Sequence, residues 1–247
     1  MKIIISPAKR MKEDPDSMPV LGQPRFLPKT QQLYTYLKAL SCEQLQALMA
    51  CNDKIAAQNY QRYQTMDSLT QRTPALFAYQ GIQYQYMGPT AFTDQQYAYL
   101  QAHLCILSGF YGLLRPFDGI FSYRLEMQAK LKTDFCENLY DFWGGDLGGE
   151  LSRDNNLVLD LASEEYSKAA RQGLSPAVRW VTVRFGEVQK GRFREKGTQV
   201  KMARGAMVRY LAEHTVTQVE ELCGFQELGY HFDQARSAQD VFVFTKV

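Results

Sequence analysis

The stretch LVLDLASEEY, residues 157–166, joins a run typical of a buried strand to a run typical of a helix start. Leu157–Leu161 is apolar apart from one aspartate, which indicates a strand that is covered on both faces. Ser163 is a residue type that caps helices, and Glu164 and Glu165 follow where the helix dipole favours acids. A strand that leads directly into a helix is typical of α/β proteins. We therefore predict an α/β fold.

The same periodicities predict elements on both sides of this junction. A spacing of about 3.6 residues predicts helices over Gln31–Leu40, from Ser41 onward, from Thr93-Asp94 to Leu107, over Asn138–Trp143 and over Lys201–His214. Continuous or alternating apolar residues predict strands over Lys2–Ile5, Gly81–Met87, Val178–Phe185, Arg192–Arg194, Gly229–Phe232 and Val241–Val247. Residues 1–247 contain no repeat and no convincing linker, so we predict a single domain.

The second helical run has two possible forms. Ser41 followed three residues later by Gln44 is a capping box, which begins the run. Cys51-Asn52-Asp53 supplies side chains that cap and turn the chain. The run to about Tyr63 is therefore either one helix or two helices with a tight joint.

Composition argues against several classes of protein. A chain of 247 residues that is 45% hydrophobic and 22% charged has the composition of an ordinary globular protein. No stretch approaches the roughly 18 to 20 apolar residues of a membrane helix, and the apolar start is too short for a secretory signal. The five cysteines form no Cys-x-x-Cys pair, and the three histidines are far apart. We predict a cytoplasmic protein with no metal site, no cofactor and no obligate protein partner.

The basic residues are unevenly distributed along the chain. The net charge is only +2, but residues 178–210 contain nine basic and two acidic residues. On a helical wheel, Lys201, Arg204 and Arg209 fall on one arc of the helix predicted there. Such a surface can bind nucleic acid by displacing counterions from phosphates, although basic faces are often only solvated.

Two further segments place cations where ligands could bind. Lys9 follows a predicted buried strand in the run Ser6-Pro7-Ala8-Lys9, and ligands of α/β proteins bind beyond strand ends. Its ammonium could contact phosphate or act as a base, or it could be an ordinary loop lysine. Arg115 and Arg124 lie in an aromatic-rich segment beside carboxylates, which favours structural ion pairs.

Seven short runs together resemble one known family, the YaaA family of peroxide-stress proteins. The runs are SPAK at 6–9, LSGFYGLLRPFD at 107–118, YRLEM at 123–127, LYDFWG at 139–144, LASEEY at 161–166, ARG at 203–205 and GFQELGYHFD at 224–233. The resemblance implies a compact mixed α/β fold with a mixed central sheet, surrounding helices, a basic cleft and a helix-hairpin-helix element. It also implies DNA binding and protection from iron-driven oxidative damage in the cytosol, and it implies no catalytic activity.

Two segments could form the helix-hairpin-helix. Leu45–Tyr63 contains two helical runs, with Lys54 at the start of the second, but it lacks the usual hairpin glycines. Gly109–Gly112 has the glycines and precedes Arg115, but its spacing is one residue longer than the common pattern. A helix N-terminus in such an element can bind phosphate.

The leading hypothesis is a protein that binds duplex or branched DNA through phosphates, with little sequence preference. The predicted DNA-binding residues are Lys9, Arg10, Lys54, Arg115, Arg124, Lys201, Arg204 and Arg209. The alternative is an enzyme in which Lys9 acts on a phosphate-bearing or nucleic-acid substrate in the same cleft. A third hypothesis, iron sequestration, has the least support because the ligand spacing is unsuitable.

Overall fold

The computed structural model describes residues 1–69 and 73–246. The strands are β1 Lys2–Ile5, β2 Arg10–Met11, β3 Thr73–Pro74, β4 Tyr79–Gln80, β5 Leu104–Ser108, β6 Gly112–Leu114, β7 Gly119–Ile120, β8 Leu157–Asp160, β9 Arg179–Gln189, β10 Arg192–Arg194, β11 Tyr230–Phe232 and β12 Val241–Lys246. The helices are α1 Leu27–Ala39, α2 Cys42–Met49, α3 Asp53–Thr65, α4 Ala75–Ala78, α5 Ile82–Met87, α6 Asp94–His103, α7 Leu139–Trp143, α8 Asp146–Ser152, α9 Glu164–Arg171 and α10 Gly197–Glu213.

An eight-stranded mixed sheet organises the fold. Its order is β11-β12-β9-β8-β1-β5-β6, with β10 paired to β9. Strands β5, β1, β8, β9 and β12 are parallel, whereas β6, β10 and β11 run antiparallel to their neighbours. Strand β1 is fully buried at Ile3, Ile4 and Ile5, as its apolar run predicts. The α/β prediction, with a mixed sheet and surrounding helices, is confirmed.

The chain changes direction across the sheet at β1. It passes from β1 to β5 on one side, and later to β8 on the other side. In open α/β sheets, ligands bind outside the carboxyl ends of the strands at such a switch point. Ser6 follows β1 and Ser163 lies just beyond β8, and their hydroxyl oxygens are 3.1 Å apart. The Ser163 N–H donates to Ser6 Oγ at 2.8 Å, so the two strand ends are joined directly.

Ser163 has a different role from the one that its sequence position predicts. It occupies the N-cap position of α9, but its side chain accepts no hydrogen bond from the first turn of that helix. Its hydroxyl is instead the acceptor of the Ser6 Oγ–H group. Tertiary contact between two strand ends has replaced the local cap.

The strand predicted over Gly81–Met87 is wrong, because this segment contains helix α5. The buried residues are Gln83, Tyr84 and Met87, a spacing that one face of a helix produces. The alternating apolar residues that suggested a strand include Ile82, which is exposed. Packing of α5 against α10 decides the conformation, and local propensity does not.

Two helix boundaries differ from the predicted ones. Helix α1 begins at Leu27, before the predicted start, because proline is tolerated in the first turn. Helix α6 ends at His103 instead of Leu107, since Leu104–Ser108 pairs with β1 as a fully buried strand. The last residue of the strand predicted to Val247 lies outside the described residues.

The run after Ser41 forms two helices, α2 and α3. Both hydrogen bonds of the predicted capping box between Ser41 and Gln44 are present. The joint turns at Ala50, whose φ is 46°, and the Asn52 side chain accepts the Ile55 N–H at 3.0 Å. The two-helix form of this run is therefore confirmed.

Gly109–Gly112 connects two antiparallel strands, β5 and β6. No helix flanks this turn, which excludes it as a helix-hairpin-helix. Among residues 1–69 and 73–246, no helix has the length and apolar composition needed to cross a bilayer.

Candidate functional site

A cavity of about 740 Å³ lies at the carboxyl ends of β1 and β8. We call it the strand-end cavity. Its volume is within the roughly 300 to 1,000 Å³ typical of small-molecule sites. It is lined by residues from 6–12, 76–85, 89–90, 123–126 and 163–166, together with Lys201 and Arg204. Its position is the switch point of the sheet, where an α/β protein binds its ligands.

The strand-end cavity has more basic than acidic side chains in its wall. The basic residues are Lys9, Arg10, Lys12, Arg124, Lys201 and Arg204, and the acidic ones are Glu126 and Glu165. Six cations against two carboxylates favour an anionic ligand, because a cleft with low-dielectric walls concentrates the field of its charges. Phe77, Tyr79, Tyr84 and Tyr166 contribute apolar wall.

Glu126 joins two of these cations. Its Oε1 lies 3.1 Å from Lys9 Nζ and 2.8 Å from Arg124 Nη2. The Arg124 and Glu126 side chains are 12% and 15% exposed, whereas Lys9 is 69% exposed. The expected ion pair at Arg124 is therefore present and shielded from water, while the Lys9 ammonium remains accessible.

Glu165 is a second carboxylate near Lys9. Burial raises the pKa of its side chain, the charge of Glu126 raises it further, and the charge of Lys9 opposes both. The Glu165 carboxylate also accepts the backbone N–H of Gln128 at 3.2 Å. Two carboxylates and an ammonium at one strand end could assist proton transfer.

Helix α10 brings Lys201 and Arg204 to the opposite wall. Burial lowers the pKa of the Arg204 guanidinium, and the charges of Asp160 and Glu195 oppose this effect. Lys201 is exposed, one helical turn before Arg204. Within the described residues, neither side chain has a carboxylate oxygen within 4.0 Å.

Five of the eight predicted DNA-binding residues line the strand-end cavity, and three lie elsewhere. Arg115 lines a separate cavity of about 250 Å³. Lys54 is exposed at the first turn of α3. Arg209 lies 3.7 Å from Glu213 and 3.4 Å from Glu227. The wheel placed Arg209 with Arg204, but it lies more than one turn further along α10, beyond the cavity.

Sequence reasoning missed Gln83, Lys12 and the two cavity carboxylates as site residues. Gln83 was assigned to a strand, and its place on the cavity wall follows only from the packing of α5 against α10. Lys12 could have been found, since it belongs to the basic opening segment. Over the described ranges, no three His, Cys, Asp or Glu side chains are grouped as metal ligands.

The second cavity contains a buried carboxyl group, Asp118. Burial raises the pKa of Asp118 to about 6. Two effects of Arg115 oppose this rise: its backbone N–H donates to Asp118 Oδ2 at 2.8 Å, and its side chain is positively charged. Leu21, Arg25 and Glu150 also line this cavity. Asp118 is therefore protonated in the folded protein at a pH where an exposed aspartate is ionised.

We expect the free energy of unfolding to depend on pH through Asp118. Its pKa is raised on folding, so its contribution is complete below pH 4 and is lost as pH rises through 6. A shift from 3.8 to about 6 corresponds to about 3 kcal/mol. Urea denaturation between pH 4 and 8 should show this loss, and Asp118→Asn should remove it. An Asp134→Asn control, at an exposed aspartate, should keep the wild-type pH profile; an unchanged profile in Asp118→Asn would contradict the assignment.

Comparison with known proteins shows which family the chain belongs to. The family model for the peroxide stress protein YaaA matches residues 1–236. A UPF0246 protein of Desulfitobacterium hafniense is 50% identical over 100% of this chain and 98% of its own length. UPF0246 proteins of Pediococcus pentosaceus and Lachnoclostridium phytofermentans are 49% and 47% identical, again over the whole chain and over 98% and 96% of their own lengths. The chain therefore belongs to the peroxide stress protein YaaA family.

Proposed function

We propose that this peroxide-stress protein binds DNA at the strand-end cavity, through phosphates and with little sequence preference. The observation that carries the proposal is the convergence of accessible cations from two distant chain segments, Lys9 and Arg10 in one and Lys201 in the other, around one cavity. Lysine and arginine that neutralise phosphates release counterions, which supplies most of the sequence-independent affinity for DNA. The strand-end cavity would be the basic cleft that the family resemblance implies.

The hairpin of β9 and β10 supports a larger phosphate-binding surface. Strand β9 is parallel to β8 and continues through residues 183–189 after their last pair, Asp160–Thr182. At about 3.3 Å per residue it extends some 20 Å past the strand end, on the side where the cavity lies. Lys190, Arg192 and Arg194 are exposed on this hairpin.

Other basic residues between 178 and 210 contribute little to this surface. Arg179, Arg184 and Lys196 form ion pairs with Asp240, Glu195 and Glu187, each at 2.7 or 2.8 Å. Their charge is largely neutralised within the protein. The proposal therefore depends on the hairpin and on Arg10 and Lys201.

The joint between α2 and α3 is the proposed helix-hairpin-helix contact. Helix α3, which begins at this joint, contacts the cavity wall near its other end, where the Tyr63 hydroxyl donates to the Arg124 carbonyl oxygen at 3.0 Å. Lys54 is exposed beside it, at the start of α3. A phosphate at this helix start would be favoured by its free N–H groups and by Lys54. DNA to which the protein is bound in the cytosol would be shielded from iron-driven oxidation during peroxide stress.

We expect DNA affinity to fall steeply with salt concentration. Arg10→Gln with Lys201→Gln should weaken binding equally for unrelated sequences and reduce the slope of log K against log salt by about 2. Fluorescence anisotropy with a duplex and a four-way junction measures both quantities. Arg179→Gln is the matched control, because Arg179 lies at the amino end of β9, on the opposite edge of the sheet. A salt-independent affinity, or the same slope in the double variant, would contradict the proposal.

The second candidate function is an enzyme acting on a phosphate-bearing or nucleic-acid substrate. The specific observation in its favour is the group of Lys9, Glu126 and Glu165 at the end of β1. A Lys9→Ala variant separates the two functions. Retained DNA affinity with the loss of a measurable turnover favours the enzyme, whereas reduced affinity alone favours binding.

A further inference from the structure

One wall of the strand-end cavity contains two buried hydrogen-bond donors without acceptors. They are Gln83 Nε2 and Arg204 Nε, and within residues 1–69 and 73–246 neither has a partner. Both residues line the cavity, and Gln83 is only 7% exposed. A buried polar group that makes no hydrogen bond destabilises the fold until a ligand or a water molecule pairs with it. Two such donors on one cavity wall indicate a place for an oxygen-bearing ligand.

The two donors belong to a single contact between helices. Gly205 in α10 packs so closely on α5 that a Cβ on it would overlap the carbonyl oxygen of Gln83 and lie 3.0 Å from the Met87 nitrogen. Arg204 and Gln83 are therefore neighbours across this contact. Lys201 adds an ammonium one turn earlier on α10.

The surroundings of these donors are poor in negative charge. Helix α5 has no acidic residue, and neither does the part of α10 from Gly197 to Gly205. Two carboxylates, Asp160 and Glu195, oppose the lowering of the Arg204 pKa by burial, Asp160 more strongly than Glu195. The Asp160 oxygens accept hydrogen bonds from Ser167 Oγ, the Ala162 N–H and Arg171, and not from Arg204 Nε, so this donor remains available to an incoming anion.

We propose that Arg204, Gln83 and Lys201 form a subsite for a terminal phosphate, the monoester group of a nucleotide or of a nucleic-acid strand end. A guanidinium, an amide and an ammonium together match the several oxygens of a phosphate better than the two of a carboxylate. The donors are buried, so a phosphate reaches them as a chain terminus and not as a diester within a continuous strand. Ile82, which is exposed on α5, and Phe77 and Leu76 give the cavity the apolar wall that a sugar and base need.

This inference rests on the proposed function only if the phosphate belongs to the end of a nucleic-acid strand. A free mononucleotide carries the same group and would occupy the same subsite. The two sources are distinguished by comparing a nucleoside 5′-monophosphate with single-stranded oligonucleotides that differ only in a 5′-phosphate or a 5′-hydroxyl end. Inorganic phosphate serves as the minimal probe, and a 3′-phosphorylated strand tests which end enters.

The test is isothermal titration of the full chain and of Gln83→Leu, Arg204→Met and Gln95→Leu. We expect the wild type to bind a phosphorylated end, or the mononucleotide, about tenfold or more tightly than the hydroxyl counterpart. Gln83→Leu and Arg204→Met should each lose that preference. Gln95→Leu should retain it, because Gln95 is exposed on α6 and does not line the strand-end cavity. Gln83→Leu removes an unpaired donor and is expected to fold at least as well as the wild type.

The outcomes separate this inference from the proposed function. DNA binding that is indifferent to end phosphorylation, without affinity for mononucleotide or phosphate, overturns the subsite and leaves the proposed function standing. Mononucleotide binding that depends on Gln83 and Arg204, without DNA binding, supports the subsite and overturns the proposed function. A phosphate preference that survives in Gln83→Leu and Arg204→Met also overturns the subsite.

Discussion

Replacing Trp143 by alanine is expected to lower the free energy of unfolding by about 3 to 5 kcal/mol. Trp143 is fully buried, and its ring packs at 5.7 Å from Phe26 and 5.1 Å from Phe142, measured between ring centroids. Its Nε1–H donates to the Gly109 carbonyl at 3.0 Å. The substitution therefore leaves a large cavity and an unpaired carbonyl group in the turn between β5 and β6.

The effect should depend on the shape of the indole, and Trp143→Phe tests this. A Cβ on Gly112 would lie 2.7 Å from the Trp143 ring, and Gly112 has a φ of +77°, so glycine and indole are matched at this turn. Phenylalanine keeps part of the packing but leaves the Gly109 carbonyl unpaired, so we expect a loss of about 1 to 3 kcal/mol. Urea denaturation measures both variants. Equal stability of Trp143→Ala and Trp143→Phe would contradict this account.

Replacing Gly205 by alanine is expected to cost about 3 kcal/mol, although alanine is the better helix former. The added Cβ would overlap the Gln83 carbonyl oxygen, which belongs to the backbone of α5 and cannot rotate away. Helix α5 must therefore move, and the cavity wall moves with it. Thermal or urea unfolding gives the loss of stability.

Gly149→Ala is the matched control for Gly205→Ala. Gly149 also lies within a helix, α8, and a Cβ there would meet nothing within 4 Å. Alanine should therefore raise the free energy of unfolding by about 0.5 to 1 kcal/mol. Similar shifts in both variants would show that helix propensity, and not the contact between α5 and α10, controls the response at Gly205.

Elements with local signals could be predicted from the sequence. The capping box at Ser41 and the apolar run of β1 each depend on residues within a few positions of one another. The conformation of α5 could not be predicted this way. Its face is defined by α10, more than a hundred residues later, and its own alternating pattern favours a strand.

The candidate site also contains some residues that local sequence predicts and others that it does not. Lys9 was found because a lysine just after a buried strand marks a ligand-binding edge, and Arg124 because the run YRLEM resembles the family, whereas its neighbouring carboxylates alone indicated an ion pair. Arg115 has the same local features as Arg124 but lies in another cavity. Local sequence does not distinguish these two arginines, because only the folded chain brings Arg124, and not Arg115, into the strand-end cavity.

The sequence by itself determined the fold class, the buried central strand, the basic character of residues 178–210 and, through its motifs, the family. Only the tertiary structure decided which cations share a cavity and which are neutralised by ion pairs. It alone also placed Gln83, with its unpaired amide donor, beside Arg204. The physical reason is the range of the interactions. Periodicity and capping act within a turn or a strand, whereas burial, ion pairing and unsatisfied hydrogen bonds depend on residues that meet only when the chain has folded.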